Sequence, residues 1–423
     1  MRVCFVSRRF FPAISGMSVY ALNLIEQLAG NGHDVTMISQ YRADAAGAGV
    51  YGGGPPPEVP GVRVIGLESS GEQAVGRGLP ADFEADVAAM VQAVEAEHAR
   101  KAFDVIHAQY GYPTGLAALE ASRRTGVPNL VSIQGGDGHW VGPCCSTHRA
   151  AMGAVLGHAG AILIGSRSFA DEVSGHHGTP RDRFTIIPGA TDVGRFRPRD
   201  EGRIGALGDP PTLLYHGRVD ARKGLLELID AFAMLADARP DLRLIVSGIG
   251  PDVRLVGERV EMLGLGDRVE LAGYASYDQA PDVYRRGDLF LSPTYSEGFS
   301  NTILEAMASG LPVVSTRSVG VVDCLADGEN GLLVEPRDAE ALARAIDRLL
   351  GDEGLRSRLA TVALDQARRL YSWPAVVRRI EGVYRSVAAS AVDDSWMLEY
   401  DVRAATVGSS DLSCRFRAEP HLL

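Results

Sequence analysis

Lysine is nearly absent from this chain of 423 residues. Lys and Arg together number 42, and only two of them are lysines, Lys101 and Lys223. The 53 acidic residues outnumber them and give a formal net charge of −11. Because proteins that bind nucleic acid need basic residues to neutralise phosphates, this charge argues against nucleic acid as a partner. The scarcity of lysine gives weight to any motif that contains one.

Cysteine is also scarce, with five residues scattered along the chain: Cys4, Cys144, Cys145, Cys324 and Cys414. An odd, scattered set argues against a disulfide framework, and no spacing of Cys and His resembles a zinc site. The adjacent pair Cys144–Cys145 suits neither an ordinary disulfide nor a metal clamp. We therefore expect reduced thiols and a cytoplasmic location. We also expect neither a metal nor a cofactor.

Long apolar runs are missing as well. No stretch of about 18 apolar residues occurs, and the first strand-like segment is not preceded by an apolar leader, so we expect neither a transmembrane segment nor a signal peptide. Apolar residues make up 46% and charged residues 22%, which is typical of a globular protein. A chain of 423 residues is too long for one ordinary core and suits two domains.

Short apolar runs alternate with helical periodicity, which predicts α/β units with parallel sheets. The first series fills an N-terminal domain, residues 1–200, with its first strand at Val3–Ser7. A polar run containing Pro and Gly, residues 197–210, is the predicted linker. The second series fills a C-terminal domain, residues 201–372. Residues 391–423 show no period and are predicted to be an appended tail.

Three motifs follow predicted strands of the second domain, where open α/β sheets bind ligands. In the first, Arg218 and Lys223 lie five residues apart before a helix, and paired cations beside a helix N-terminus suit a diphosphate. In the second, Gly248 and Gly250 form a turn through which a ligand can approach the backbone. In the third, Glu297 and Glu305 flank a strand-to-helix crossing. Taken singly, each motif is more simply explained as a surface loop or a helix cap.

Together and in this order, the motifs resemble those of the family-four retaining glycosyltransferases. That family shows G-R-x4-K-G, then G-x-G-P, then E-G-F-x4-L-E-A, then G-x-P-V-V, and the chain matches each at residues 217–224, 248–251, 297–306 and 310–314. The resemblance extends over roughly residues 1–390. It implies the GT-B fold, in which two Rossmann-like domains face each other across a cleft. It also implies a last helix, residues 373–390, that returns to the first domain, and hinges near the linker and near Trp373.

The resemblance implies a role for each matched residue of the second domain. Arg218, Lys223 and Glu297 would be catalytic, the cations at the diphosphate and the carboxylate at the hydroxyls of the donor sugar. Glu305 would hold the ribose hydroxyls. The other predicted donor-binding residues would contact the donor through their backbone or would receive its base. They are Gly16, Gly217, Gly248, Gly250, Tyr274, Ala275, Gly298, Phe299, Ser300 and Asn301.

The first domain matches less closely. Residues 16–20 resemble the branch that forms mycothiol, whose acceptor is an inositol phosphate, although Met17 replaces a second glycine. Gln134 replaces a usual His and cannot titrate, and Gly189 replaces a usual Asn. The predicted acceptor-binding residues are Met17, Tyr20, His107, Tyr110, Gln134, Asp137 and His139, although His107 and His139 are each more simply explained as structural.

The predicted function is retaining transfer of a sugar from a UDP- or GDP-linked donor to the hydroxyl or thiol of a small soluble acceptor. The setting expected is bacterial biosynthesis of a specialised metabolite, a thiol cofactor or a glycan. Metal is not required, because Arg218 and Lys223 would neutralise the leaving diphosphate. A non-catalytic sugar-nucleotide-binding protein and a GT-B sugar-nucleotide 2-epimerase remain alternatives. A nicotinamide dehydrogenase is disfavoured, because no Gly-x-Gly-x-x-Gly follows the first strand. A homodimer is left open.

Overall fold

The structure, a computed structural model, describes residues 1–13, 15–42, 53–69, 83–202, 204–398 and 414. It divides into two compact units. Unit 1 comprises Met1–Ile187 with Val377–Leu423, and unit 2 comprises Pro188–Val376. Most of the tail predicted at residues 391–423 lies outside the described residues. Within the described part of the chain, no helix is both long enough and apolar enough to span a membrane.

The described residues of unit 1 form a parallel sheet of seven strands in the order β3-β2-β1-β4-β5-β6-β7. Every residue of β1 is buried, as expected for a strand covered on both faces. The strands are β1 (Arg2–Ser7), β2 (Asp34–Tyr41), β3 (Val62–Glu68), β4 (Val105–Gln109), β5 (Asn129–Ile133), β6 (Ile162–Ile164) and β7 (Phe184–Ile186). The helices are α1 (Gly16–Gly30), α2 (Phe83–Arg100), α3 (Leu116–Thr125), α4 (Gly136–His139), α5 (Ser146–His158) and α6 (Arg167–His177).

The described residues of unit 2 form a parallel sheet of six strands in the order β10-β9-β8-β11-β12-β13. The strands are β8 (Thr212–His216), β9 (Arg243–Ser247), β10 (Val269–Gly273), β11 (Leu289–Ser292), β12 (Val313–Thr316) and β13 (Leu332–Val334). The helices are α7 (Leu225–Ala236), α8 (Val253–Met262), α9 (Ala280–Arg286), α10 (Asn301–Ala308), α11 (Ala339–Gly351) and α12 (Glu353–Leu370). A last helix, α13 (Trp373–Ala388), begins in unit 2, and its residues from Val377 onward belong to unit 1.

In each sheet the order of the strands reverses at one point, although all the described strands are parallel. In unit 1 the order steps from β1 to β2 on one side and from β1 to β4 on the other, and in unit 2 it does the same around β8. In open α/β sheets the crevice for a ligand lies at such a switch point, beyond the carboxyl ends of the two central strands. The loops after β8 and β11, and those after β1 and β4, are therefore the places to look for function.

Candidate active site

Lys223 and Glu297 meet at the switch point of unit 2. Lys223 ends a short 3-10 turn after β8, and Glu297 lies in the loop after β11, which is the neighbour of β8 in the sheet. The ammonium Nζ of Lys223 donates to Oε1 of Glu297 over 2.5 Å. The two side chains keep 25% and 19% of their surface exposed. The structure thus brings together two of the three residues that the sequence predicts to be catalytic, at a place open to a ligand.

An aspartate organises the loop that carries the cations. Asp220 accepts two hydrogen bonds from the guanidinium of Arg222, and its Oδ2 lies 3.5 Å from Nε of Arg218. Burial tends to raise the pKa of Asp220, but the hydrogen bonds from Arg222 outweigh it and lower this pKa to about 2. The hydroxyl of Tyr215 donates to the carbonyl of Arg218 over 2.6 Å. The loop therefore holds its charges in fixed positions at neutral pH.

The Gly-x-Gly turn lies against the same loop. A Cβ atom on Gly248 would lie 1.7 Å from the carbonyl oxygen of Gly217, and one on Gly250 would lie 2.0 Å from that of Val219. Gly248 also has φ of +147°, which side chains rarely adopt. Both glycines are therefore required for the backbones of the two loops to touch. This contact places the turn beside the loop that follows β8. The approach of a ligand to the backbone of this turn, which the sequence predicts, stays a prediction.

The loop of Glu297 leads directly into α10. The backbone N–H of Glu297 donates to the carbonyl of Val319, which ties this loop to the one after β12. Ser300 precedes the helix and is buried, while Phe299 and Asn301 are partly exposed. The first turn of an α-helix has N–H groups with no partner inside the helix, and these suit an anion or a hydroxyl oxygen. The predicted backbone contacts at residues 298–301 therefore lie where such groups are available.

Glu305 lies one turn into α10 and is 8% exposed. Its Oε2 accepts a hydrogen bond of 2.7 Å from the hydroxyl of Tyr284. Burial raises the pKa of Glu305 to about 7, and the hydrogen bond from Tyr284 lowers it only in part. Tyr284 thus orients this carboxyl group. The sequence analysis does not single out this tyrosine.

The structure shows the surroundings of two other positions of unit 2, Tyr274 and Gly189. Tyr274 follows β10 and is 45% exposed, so that its ring is accessible. Gly189, found where the family often has Asn, faces crowded space, because a Cβ atom there would lie 2.5 Å from Oδ1 of Asn301 and 2.8 Å from the ring of Phe299. The side chain of Asn301 thus fills the space that a residue at position 189 would need.

A buried glutamine organises the switch point of unit 1. Gln109 ends β4, and its Nε2 donates to the carbonyl of Met17 over 3.0 Å and to Oε1 of Gln134 over 2.8 Å. Its Oε1 accepts from the hydroxyl of Ser7, at the end of β1. Gly16 opens α1 with no atom within 4 Å of where its Cβ would lie. The predicted residues Met17 and Gln134 therefore meet through Gln109, which the sequence analysis missed although it lies two residues after His107.

Asp137 is fully buried and holds the backbone rather than an exposed surface. Its Oδ1 accepts from the N–H groups of Gln134 and Gly135, and its Oδ2 accepts from that of Gly111. Burial raises the pKa of Asp137 to about 6 despite these three hydrogen bonds. The sequence predicts that this side chain contacts an acceptor. In the structure it is enclosed and cannot do so. Asp137 instead fixes the loop that carries Gln134.

His107 is likewise enclosed, with no exposed surface. Its Nδ1 lies 2.7 Å from the hydroxyl of Tyr384 on α13, and its Nε2 lies 2.7 Å from the hydroxyl of Ser132. Burial lowers the pKa of His107 to about 3. Since both ring nitrogens are occupied within unit 1, the structure favours the structural reading of His107 over acceptor contact. His107 thus connects β4 to the last helix through Tyr384.

The remaining predicted acceptor residues differ in how far a ligand could reach them. Tyr110 is 2% exposed and Tyr20 is 8% exposed, and burial raises the pKa of both hydroxyls. His139 is partly exposed and its Nδ1 lies 2.6 Å from Glu172. Tyr110 is nevertheless close enough to Arg8 and Arg9 for both charges to lower its pKa against the larger effect of burial. Both arginines directly follow β1, but Arg8 is buried and its guanidinium lies 5.0 Å from the centre of the Phe83 ring.

Comparisons with known proteins agree with this architecture. The family described as "Glycosyl transferases group 1" matches residues 196–365, and a "Glycosyl transferase 4-like domain" matches residues 15–190. The chain is 31% identical over 407 residues to a D-inositol 3-phosphate glycosyltransferase of Frankia alni, covering 89% of this chain and 95% of that protein. It is 33% identical over 219 residues to a mannosylfructose-phosphate synthase of Agrobacterium fabrum, covering 48% of each.

A solved structure shows the same fold. The sucrose-phosphate synthase from Thermosynechococcus elongatus superposes with a TM-score of 0.75 at 24% identity, covering 92% of this chain and all of that one. Two parallel-sheet α/β units with this likeness establish the GT-B fold that the sequence predicts. The sequence matches over most of the chain also confirm the predicted family.

Proposed function

Because the chain is a member of the family-four glycosyltransferases, we propose that it transfers a sugar from a nucleoside diphosphate sugar to a small acceptor. The transfer would retain the configuration of the anomeric carbon and would need no metal ion. The observation that carries the proposal is the pairing of Lys223 with Glu297 at the switch point of unit 2. A cation that can meet a diphosphate and a carboxylate that can accept from sugar hydroxyls lie at one place.

The donor would be held entirely by unit 2. Arg218 and Lys223 would take the diphosphate, together with N–H groups of residues 298–301 at the start of α10. Glu297 would accept hydrogen bonds from the sugar, and Glu305 from the ribose. Tyr274 would lie against the base, because its ring follows β10 and is exposed.

The chemistry would need no protein nucleophile. In transfer on one face of the sugar, the bond from the anomeric carbon to the leaving phosphate oxygen breaks as the acceptor oxygen attacks. The acceptor's proton passes to that phosphate oxygen. The protein's part is to position both substrates and to stabilise the negative charge that develops on the diphosphate. Each cationic contact would contribute on the order of 3 kcal/mol, or roughly a hundredfold in rate.

The acceptor would be held by unit 1, near Met17 and Gln134. The names of the relatives from Frankia alni and Agrobacterium fabrum favour an acceptor that carries a phosphate, because each name refers to a phosphorylated compound. A phosphorylated polyol or sugar that offers a hydroxyl is thus the preferred acceptor class.

A donor screen tests the proposal. The change in Tm would be measured against a panel of UDP- and GDP-linked sugars, and the stabilising donor would then be incubated alone and with D-inositol 3-phosphate, fructose 6-phosphate and their unphosphorylated forms. We expect one base to be preferred and nucleotide release to rise with a phosphorylated acceptor. Donor binding without transfer to any acceptor would favour the non-catalytic alternative, and the appearance of an isomerised donor would favour the epimerase.

A further inference from the structure

Three cysteines and a histidine converge in unit 1, far from Lys223 in the sequence and outside the proposed transfer chemistry. They are Cys144, Cys145, His148 and Cys414, and one ligand atom of each lies within 4.8 Å of all the others. We propose that these four residues bind a structural zinc ion, and that the ion anchors position 414 to the start of α5.

The distances suit such a site. The Sγ atoms of Cys144, Cys145 and Cys414 lie 3.1, 3.2 and 3.4 Å from Nδ1 of His148. In a tetrahedral zinc site, bonds of about 2.3 Å to sulfur and about 2.0 Å to nitrogen separate these atoms by roughly 3.5 Å. Small side-chain adjustments would therefore be enough to place a zinc ion between them. Three cysteines with one histidine is a recurrent ligand set of structural zinc sites.

Local backbone geometry explains how adjacent cysteines can serve together. Side chains of neighbouring residues in an extended chain point in opposite directions. Here Cys145 is the N-cap of α5, and its Sγ accepts from the backbone N–H of His148 one turn later. The chain turns just before it, so that Cys144 also reaches the histidine ring. The spacing C-C-x-x-H thus places three ligands at the start of one helix, two just before it and one on its first turn.

The fourth ligand comes from 266 positions away, which is why sequence spacing alone gave no zinc site. Cys414 is 3% exposed and His148 has no exposed surface. The ring of His148 also packs 4.8 Å from that of Tyr112. The three clustered cysteines, of which Cys414 is buried and Cys144 and Cys145 are partly exposed, form no disulfide, and their sulfur atoms surround one imidazole nitrogen. Thiolates grouped in this way suit a thiophilic cation.

The charge and proton balance is simple. Binding one Zn²⁺ would release three protons from the thiols and leave His148 neutral, for a net site charge of −1. Four protein ligands would complete the coordination, as in closed structural sites, and would leave no position for a substrate. This role is therefore separate from sugar transfer, which the proposed function assigns to Lys223 and its neighbours without metal.

Metal analysis of the full chain, purified without a histidine tag or chelator, tests the proposal. We expect about one zinc per chain by mass spectrometry of the metal, and a loss of more than about nine-tenths of it in Cys414→Ser and in Cys144→Ser. The matched controls are Cys4→Ala and Cys324→Ala, which remove the two buried cysteines outside the cluster and should keep the zinc. Zinc-free wild-type protein that also fails to take up Zn²⁺ in a titration would overturn the proposal.

A second measurement keeps the test decisive if a serine variant folds poorly. Cobalt added to metal-stripped wild type should give the visible absorption of a tetrahedral thiolate complex, and zinc should abolish it. Thiol counting after denaturation with a chelator should find all five cysteines reduced. A count of three would instead indicate a disulfide within the cluster and would contradict the zinc site. Neither measurement depends on transferase activity, so each can fail while the proposed function stands.

Discussion

Lys223 and Glu297 form an ion pair of 2.5 Å between the ends of two adjacent strands, β8 and β11. Each residue is therefore the other's partner before any donor arrives. A diphosphate that binds Lys223 must compete with Glu297 for the ammonium group. Binding of the donor would release the carboxylate toward the sugar, so that one exchange of partners engages both residues.

This competition makes Glu297→Gln informative. The substitution keeps the size of the side chain but removes its charge, so that Lys223 no longer has an anionic partner. We expect UDP or GDP to bind as tightly as to the wild type or a few-fold more tightly, while kcat of transfer falls by about a hundredfold. Isothermal titration and steady-state kinetics measure the two effects. A tenfold loss of nucleotide affinity would show that Glu297 supports the diphosphate instead of competing with it.

The raised pKa of Glu305 predicts a pH-dependent stability. Because the folded pKa is about 7 and the unfolded value is about 4.5, the folded state holds the proton more tightly. Stability from this group is fully present below pH 4.5 and is lost as the pH rises to about 7, by about 3 kcal/mol. Glu305→Gln should abolish this loss, so that the variant gains stability relative to wild type between these pH values.

The measurement for Glu305 is urea denaturation of both proteins from pH 4.5 to pH 8. Gln can still accept the hydrogen bond from Tyr284, so packing should be preserved. A difference in unfolding free energy that stays constant across this range would show that Glu305 does not titrate as argued. Above pH 7, where Glu305 is a carboxylate, donor affinity of the same variant should fall, because a neutral amide accepts hydroxyl hydrogen bonds more weakly than a carboxylate.

The contact between the loops after β8 and β9 can be tested with two glycines. Gly248→Ala would place a methyl group 1.7 Å from the carbonyl oxygen of Gly217. We expect a lower free energy of unfolding, by roughly 2 kcal/mol or more, and loss of nucleotide binding. Gly257→Ala on α8 is the matched control, because its nearest neighbour would be 3.6 Å away. Equal stability of the two variants, measured in urea, would refute the close contact.

Gln109 offers a test of the acceptor side. Gln109→Ala should raise KM for the acceptor about tenfold with a smaller change in KM for the donor, because the amide joins Met17 to Gln134 within unit 1. Gln40→Ala removes another buried glutamine, on β2, and is the control for loss of packing. Equal effects of the two substitutions on acceptor KM would make Gln109 merely structural.

Most of the fold was predictable from local signals. β5, β8 and β11 fall on the apolar runs Asn129–Ile133, Thr212–His216 and Leu289–Ser292, because buried parallel strands are nearly continuous apolar segments. β3 is harder to predict, since none of its residues is buried and it pairs at the edge of the sheet. Short runs without a strong period carry too little signal for assignment.

The residues of the candidate sites also fall into those that the sequence can predict and those that it cannot. Lys223 and Glu297 could be proposed because each belongs to a contiguous motif at the end of a strand. Tyr284, Gln109 and Cys414 could not, because their importance lies in contacts with residues 21, 25 and 266 positions away. The structural role of His107, the simpler explanation of that residue from the sequence, agrees with the structure, but a sequence pattern cannot show that its partner is Tyr384.

The two lysines of the chain supply the most direct test. Lys223 is paired with Glu297 at the proposed diphosphate site, whereas Lys101 is 67% exposed and paired with Asp34 in unit 1. Isothermal titration with UDP and GDP should show that Lys101→Ala binds the preferred nucleotide like the wild type, and that Lys223→Ala binds it roughly a hundredfold more weakly with its fold intact. Equal affinity of the two variants, or no binding of either nucleotide to the wild type, would contradict the account.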